Sequence, residues 1–307
     1  MLSRVAERVY WTARYLERVE NTARLLSVFN SLLLDLPRGV DLNWYNLVII
    51  TGSEEDFNKR YEVRSERNVV KYIISDAKNS SSVINTMRWI KENVRTSRDV
   101  VPIETWELIN ELYIFVRQNL QSGINKSTRH EFLDQLVVSC QQIVGLMGGI
   151  MIRDAGWYFL RLGHNIERAD MVTRFLDVGA AVIMNDDDSP NREQIVWGNV
   201  LSSASAGQAY LKTTGSLVNG PEVVEFLIEN PLFPRSVRFC LSGVKECIDR
   251  LPRNRKLTLS VKEVLAHSTR AFDYTQLGQE FRDHLNEIQM RISGLHNEVS
   301  ENWFAVE

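Results

Sequence analysis

Proline is scarce in this chain, seven in 307 residues, and cysteine is scarcer, with only Cys140, Cys240 and Cys247. An odd set with no CxxC pair points away from a disulfide framework and from a structural zinc site. No signal-peptide pattern opens the chain, so the cytoplasm is the expected compartment. Basic residues are not in excess: 36 Lys and Arg stand against 39 Asp and Glu, a net charge of −3, and no Lys/Arg cluster marks a nucleic-acid footprint. Nucleic acid is therefore not an expected partner. Long apolar runs are missing too. The most apolar stretch, LVVSCQQIVGLMGGIMI (136–152), is broken by Ser139, Gln141, Gln142 and the Gly148–Gly149 pair. It falls short of the roughly 20 apolar residues a spanning helix needs, so no membrane partner is expected and the stretch reads as a core helix ending near the glycines. No nucleophile elbow, phosphate-binding glycine loop or dinucleotide fingerprint occurs, and the cysteines have no evident His partner in sequence. Any chemistry falls to carboxylates and arginines, and no cofactor is expected.

What the chain does have is hydrocarbon and charge at helical spacing. With 44% hydrophobic and 24% charged residues it is globular in composition and long enough for a large core. Apolar positions recur every three or four residues, as in Val9, Thr12, Leu16, Val19, Ala23 and Leu26, and again in Phe159, Leu162, Ile166, Ala169, Thr173 and Leu176. The same periodicity predicts helices near 68–77, 81–97, 103–120, 129–147, 191–213, 221–229, 235–250, 261–274 and 276–300. The one strand-like segment is NLVII (46–50), too little for a sheet, and the acidic NDDDSPN (185–191) reads as a solvated turn. The expected class is all-α.

The chain also repeats itself. ARYLERVENTARLL (13–26) and GHNIERADMVTRFL (163–176) align at a shift of 150, which superimposes Glu17 on Glu167, Arg18 on Arg168, Glu20 on Asp170 and Arg24 on Arg174. NVVKYIISD (68–76) matches EVVEFLIEN (222–230), and SVINTMRWIKE (82–92) matches SVRFCLSGVKE (236–246), both at 154; EFLDQL (131–136) matches EFRDHL (280–285) at 149. Ordered anchors at a nearly constant offset imply a tandem duplication, repeats of about 1–150 and 151–307, with the two halves forming one helical-bundle unit related by a pseudo-two-fold.

At about 100° per residue, positions 17, 20, 21 and 24 share one helix face, extended by Arg14 and Glu7. Two readings follow. In the first, the stripes form salt bridges, Glu17 with Arg24 or Arg174 and Glu167 with Arg174 or Arg24. A buried ion pair adds little net stability over apolar packing, so its presence in both copies calls for a reason. In the second, the stripes meet in a pocket lined by Glu17, Glu20, Glu167 and Asp170 and gated by arginines. There Arg18, Arg24, Arg168 and Arg174 hold an anionic, amino-acid-like or acyl-phosphate-like substrate, and Glu17 or Glu167 serves as general base. Desolvation raises a carboxylate pKa and the arginines lower it, and the sequence leaves that contest open.

The i, i+3 pair His164 and Glu167 has the residue types of a bundle metal site, but in reversed order and in one copy only, so no metal is expected and His164 reads as a pocket donor or a satisfied polar group. Tyr10, Trp11, Trp157 and Tyr158 read as core or pocket wall. Arg95, Arg98 and Asp99 read as helix-end capping. FPRSVR (233–238) reads as a helix start whose Arg235 and Arg238 are also available to an anion.

Three segments, MLSRVAERVYWTARYLERVENTARLL at the start, RWIKENVRTSRDVVPIETWELIN (88–110) and GWYFLRLGHNIERADMVTRFLD (156–177), resemble the bacterial alpha-E domain family along the length of the chain, residues 1–307. Members are all-helical proteins of unknown function, typically encoded beside a circularly permuted ATP-grasp-like protein and a transglutaminase-like peptidase. The resemblance implies a place in a peptide- or amide-forming system, with the ATP-grasp-like ligase as partner and the transglutaminase-like peptidase as a further one. The positions it marks are Glu17, Arg18, Glu20, Arg24, Glu167, Arg168, Asp170 and Arg174. Within that system the alternatives are a substrate-binding or catalytic component and a non-catalytic scaffold.

Overall fold

A computed structural model describes residues 2–35, 44–184, 190–270 and 272–304. Among the described residues the chain forms fourteen helices and no strand. In order they are α1 (Ser3–Asp35), α2 (Asn46–Ile50), α3 (Glu54–Asn58), α4 (Glu66–Ile74), α5 (Val83–Arg95), α6 (Ile103–Ile124) and α7 (Arg129–Ile150), then α8 (Ala155–Met184), α9 (Pro190–Ser203), α10 (Gly207–Thr214), α11 (Gly220–Glu229), α12 (Val237–Arg250), α13 (Arg255–Ser268) and α14 (Gln279–Trp303).

The two longest helices, α1 and α8, pack on each other at the centre. Around α1 lie α5, α7 and α9, and around α8 lie α12, α14 and α9. The chain runs α5 onto α6 and α6 onto α7 on one side, and α12 onto α13 and α13 onto α14 on the other. Leu16, Val19, Ala23 and Leu26 of α1, and Leu162, Ile166, Ala169 and Leu176 of α8, are buried, so each helix turns the apolar stripe read from its sequence into the core. The central crossing is close. A Cβ on Gly163 would lie 2.3 Å from the Tyr10 carbonyl oxygen, so α8 meets the α1 backbone where only glycine fits.

Helix starts are capped alike at the 154-residue offset. Ser65 accepts from Asn68 N and Asn219 from Glu222 N; Ser82 accepts from Asn85 N and Ser236 from Phe239 N.

Several elements differ from the sequence expectation. NLVII is helical, not a strand: Val48 N and Ile49 N donate to Tyr45 O and Thr51 N to Leu47 O, closing turns that need no partner strand, while Leu47, Val48 and Ile50 are buried. The span 191–213 is two helices, because Ser205 adopts φ +51, a left-handed conformation that stops α9 before α10. The helix expected at 261–274 runs from Arg255 to Ser268 instead. It stops where the Ser268 and Thr269 hydroxyls turn back on the Val264 and Leu265 carbonyls. The acidic turn lies outside the described residues at 185–189, and Pro190 and Asn191 already belong to α9. The apolar stretch is a core helix ending near the glycines, as expected: α7 buries Leu136, Cys140, Ile143 and Met147 and ends at Ile150, one residue past Gly149. Among the described residues no helix is long and apolar enough to cross a membrane.

Candidate functional site

The two charged stripes face each other across the α1–α8 contact. Each Glu–Arg dipeptide pairs with the opposite one. Arg168 donates Nε to Glu17 Oε1 at 2.8 Å and Nη2 to Oε2 at 2.9 Å. Arg18 donates Nε to Glu167 Oε1 at 2.6 Å and Nη2 to Oε2 at 3.0 Å. Both are bidentate forks on a carboxylate, the strongest ion-pair geometry side chains offer. Glu17 and Glu167 are buried, so neither carboxylate has water to fall back on.

Further donors complete each carboxylate. Glu17 Oε1 also accepts from Asn21 Nδ2 and Arg235 Nη1, both at 3.0 Å, and His164 Nδ1 lies 3.1 Å from Oε2. Glu167 Oε2 accepts from Arg14 Nε at 2.7 Å. At the 150-residue shift Arg14 and His164 occupy matching positions, so an arginine in one cluster plays the part of a histidine in the other.

The outer charges pair within their own helices. Arg24 donates Nε and Nη2 to Glu20 Oε1 at 3.0 and 2.9 Å, and Arg174 donates Nε to Asp170 Oδ2 at 2.8 Å. The expected pairs of Glu17 or Glu167 with Arg24 or Arg174 do not form. Glu17 and Arg24 are seven residues apart, about 10 Å along the axis, whereas the i, i+4 spacing of Glu20 and Arg24 brings carboxylate and guanidinium together. Arg24 Nη1 also reaches Ser205 Oγ at 2.6 Å and Arg174 Nη1 reaches the Ile50 carbonyl at 2.6 Å, tying the stripes to the neighbouring segments.

The contest over carboxylate pKa is settled by this geometry. Burial pushes Glu17 up, but Arg168 and Arg235 together hold it well below the usual glutamate range. Burial likewise raises Glu167, and Arg18 and Arg14 overcome it to bring it down to about 2. Both are ionised at neutral pH and each is held in an arginine fork, a poor arrangement for accepting a proton from a substrate amine. His164 is pushed down to about 3 by burial and by Arg168, so it is neutral, and its Nδ1 lies beside Glu17 rather than facing Glu167 as the metal pattern would need.

The pocket differs from the one expected. A cavity of about 210 Å³ opens beside Glu167 and Asp170, with Arg18, Arg174, Tyr72 and Ser81 among its walls. Glu17 and Glu20 do not line it. They are covered by Arg235, which donates Nη1 to Glu17 Oε1 and Asn21 Oδ1 at 3.0 Å and Nη2 to Glu20 Oε1 at 2.6 Å. FPRSVR offers Arg235 to an anion, and the anions it meets are the chain's own Glu17 and Glu20, more than 200 positions away.

Tyr10 is fully buried, and the Arg14 guanidinium lies over the ring of half-buried Trp11 at 5.0 Å, so these aromatics wall the cluster. Trp157 and Tyr158 are partly buried against the core. Arg95 pairs with Glu92 at the end of α5 and Arg98 stacks on Trp106, both structural. Cys140, Cys240 and Cys247 are free and buried, with burial pushing Cys240 and Cys247 up to about 12. His267, His284 and Glu287 also come together, but the Arg270 guanidinium sits 3.2 Å from His284 Nδ1.

The forks are made by two Glu–Arg dipeptides, Glu17–Arg18 and Glu167–Arg168, in an all-helical chain. The chain belongs to the Alpha-E family, described as a predicted alpha-helical domain with a conserved ER motif, whose model matches residues 1–304. Similar proteins include uncharacterized proteins of Mycobacterium bovis and Mycobacterium tuberculosis, each 22% identical, with the match covering 81% of this chain and 30% of the relative. The chain thus spans about 30% of the length of the curated relatives it matches. No solved structure matches.

Proposed function

We propose that this chain is a non-catalytic helical partner of an ATP-grasp-like, amide-forming ligase in the bacterial cytoplasm, and that its Glu/Arg stripes lock α1 onto α8. The observation that carries this reading is the reciprocal pairing of Glu17 with Arg168 and Glu167 with Arg18, which commits the chain's own arginines to its own carboxylates. The partial match supports it as well: in the mycobacterial relatives the matching region is one part of a longer protein. The constant offsets between matched helices, caps and ion pairs support an origin by tandem duplication of about 150 residues.

A second reading, a component that holds an amino-acid-like substrate for the same ligase, has the cavity beside Glu167 and Asp170 in its favour. Copurification with the ligase under saturating ATP and amino acids separates a lock from a general base. If Glu17 is part of a lock, product formation by a Glu17→Gln protein falls only as far as its folding and ligase binding fall. A Glu17→Gln protein that folds and binds like wild type yet yields no product would establish the catalytic role instead.

A further inference from the structure

The loops that precede α5 and α12 have the same construction at the 154-residue shift. Lys78 N donates to Asp76 Oδ1 at 2.8 Å and Leu232 N to Asn230 Oδ1 at 2.9 Å, and each loop ends on a capping serine, Ser82 or Ser236. The residue just before the cap is Ser81 in one loop and Arg235 in the other. Arg235 extends its guanidinium to Glu17, Glu20 and Asn21 of α1. The residues matching those three at the 150-residue shift are Glu167, Asp170 and Met171 of α8, and all three line the cavity that Ser81 borders.

Donor supply differs accordingly. Glu17 Oε1 receives N–H groups from Arg168, Arg235 and Asn21. Glu167 Oε1 receives Arg18 Nε, and its Oε2 takes Arg18 Nη2 and Arg14 Nε, while Ser81 has no guanidinium to extend and the Met171 side chain no N–H to offer. On the outer acid, Glu20 Oε1 takes Arg235 Nη2 at 2.6 Å, whereas Asp170 Oδ1 has Arg174 Nη2 at 3.5 Å, too long for a full hydrogen bond. The cavity, walled also by Arg18 and Arg174 as the Arg235 site is flanked by Arg168 and Arg24, therefore offers Glu167 Oε1 and Asp170 Oδ1 to a further donor, in the arrangement that receives a guanidinium elsewhere in the same molecule. Its volume of about 210 Å³ is below the ~300–1,000 Å³ of sites for drug-sized ligands, which suits an amino-acid-sized molecule and not a nucleotide.

We propose that this cavity binds a small organic cation, with an alkylguanidinium or primary ammonium group seated between Glu167 and Asp170 as Arg235 is seated between Glu17 and Glu20. The proposal stands apart from the ligase partnership, since it concerns a ligand the isolated chain binds.

Isothermal calorimetry and thermal shift of the purified chain with agmatine, putrescine, sodium acetate and inorganic phosphate test it. Agmatine is expected to bind saturably and raise the melting temperature, with putrescine next and the two anions without effect. Ser81→Arg, which supplies a tethered guanidinium, is expected to raise the melting temperature on its own and to abolish agmatine binding. Asp170→Asn, at the cavity edge, is expected to weaken agmatine roughly tenfold while leaving the fold intact. Failure of both cations to bind overturns the proposal. So does agmatine binding that survives both Ser81→Arg and Asp170→Asn, or stabilisation by phosphate or acetate in preference to agmatine.

Discussion

Glu17 on α1 and Arg168 on α8 meet fork to fork, at 2.8 and 2.9 Å, while the residues that follow and precede them, Arg18 and Glu167, make the same contact in the reverse direction at 2.6 and 3.0 Å. An ER dipeptide is thus a two-sided connector: its glutamate reaches for the other helix's arginine and its arginine for the other helix's glutamate. Arg168→Ala leaves Glu17 buried with its fork removed, and a loss of roughly 3–5 kcal/mol is expected in urea denaturation. A loss below about 1 kcal/mol, the range of exposed pairs, would show the fork to be dispensable.

The helix crossing itself is testable through glycine. Gly163→Ala places a methyl 2.3 Å from the Tyr10 carbonyl, so α1 and α8 must separate and the melting temperature is expected to fall. Gly145→Ala, in the middle of α7 with open space around its Cβ position, is expected to gain about 1 kcal/mol from helix propensity. Equal effects from the two substitutions would mean that the close approach at Gly163 carries no cost.

Acid should unfold the protein in two stages. His164 is held down to about 3 in the fold, and His284 and His296 down to about 4, each below the ordinary 6.5. As pH falls below 6.5 the unfolded chain binds these protons first, so stability declines by up to about 1.4 kcal/mol per pH unit for each histidine. Glu17 and Glu167 are displaced downward from 4.5, so their contribution is complete above that pH and is lost as pH falls below it, for Glu167 toward about 2. Melting temperature measured from pH 8 to pH 3 should bend near 6.5 and steepen below 4.5. His164→Gln, which removes one of the titrating rings, should flatten the first stage. A profile level down to pH 5 would contradict the burial of neutral histidines.

The three cysteines offer a check on the core. All are buried, and burial raises each thiol, Cys240 and Cys247 to about 12. A thiol reagent at pH 8 is expected to label none of them in the native protein and all three after denaturation. Rapid native labelling would place at least one thiol outside the core.

Much of this was legible in the residues. The 3–4 periodicity of Leu16, Val19 and Ala23 and its copy at Ile166 and Ala169 named the two central helices, because burial on one face leaves that pattern in any amphipathic helix. The stripes were legible as charge at helical spacing. Their pairing was not, since which guanidinium meets which carboxylate depends on how two helices cross, and that is set by contacts such as Gly163 on Tyr10 more than 150 residues apart. NLVII misled because β-branched residues favour strands only where a neighbouring strand takes up their amides, and here local turns do. Arg235 was legible as a helix-start residue available to an anion, but not which anion, since Glu17 and Glu20 lie far along the chain.

A double-mutant cycle on Glu17→Gln and Arg168→Met, followed by urea denaturation at pH 7, measures the lock directly. With the pair buried and bidentate, the two single losses are expected to exceed the double by a coupling of roughly 2–3 kcal/mol, because the second substitution removes a group the first has already stranded. Losses that simply add would contradict the reciprocal Glu–Arg connector as the contact that holds α1 to α8.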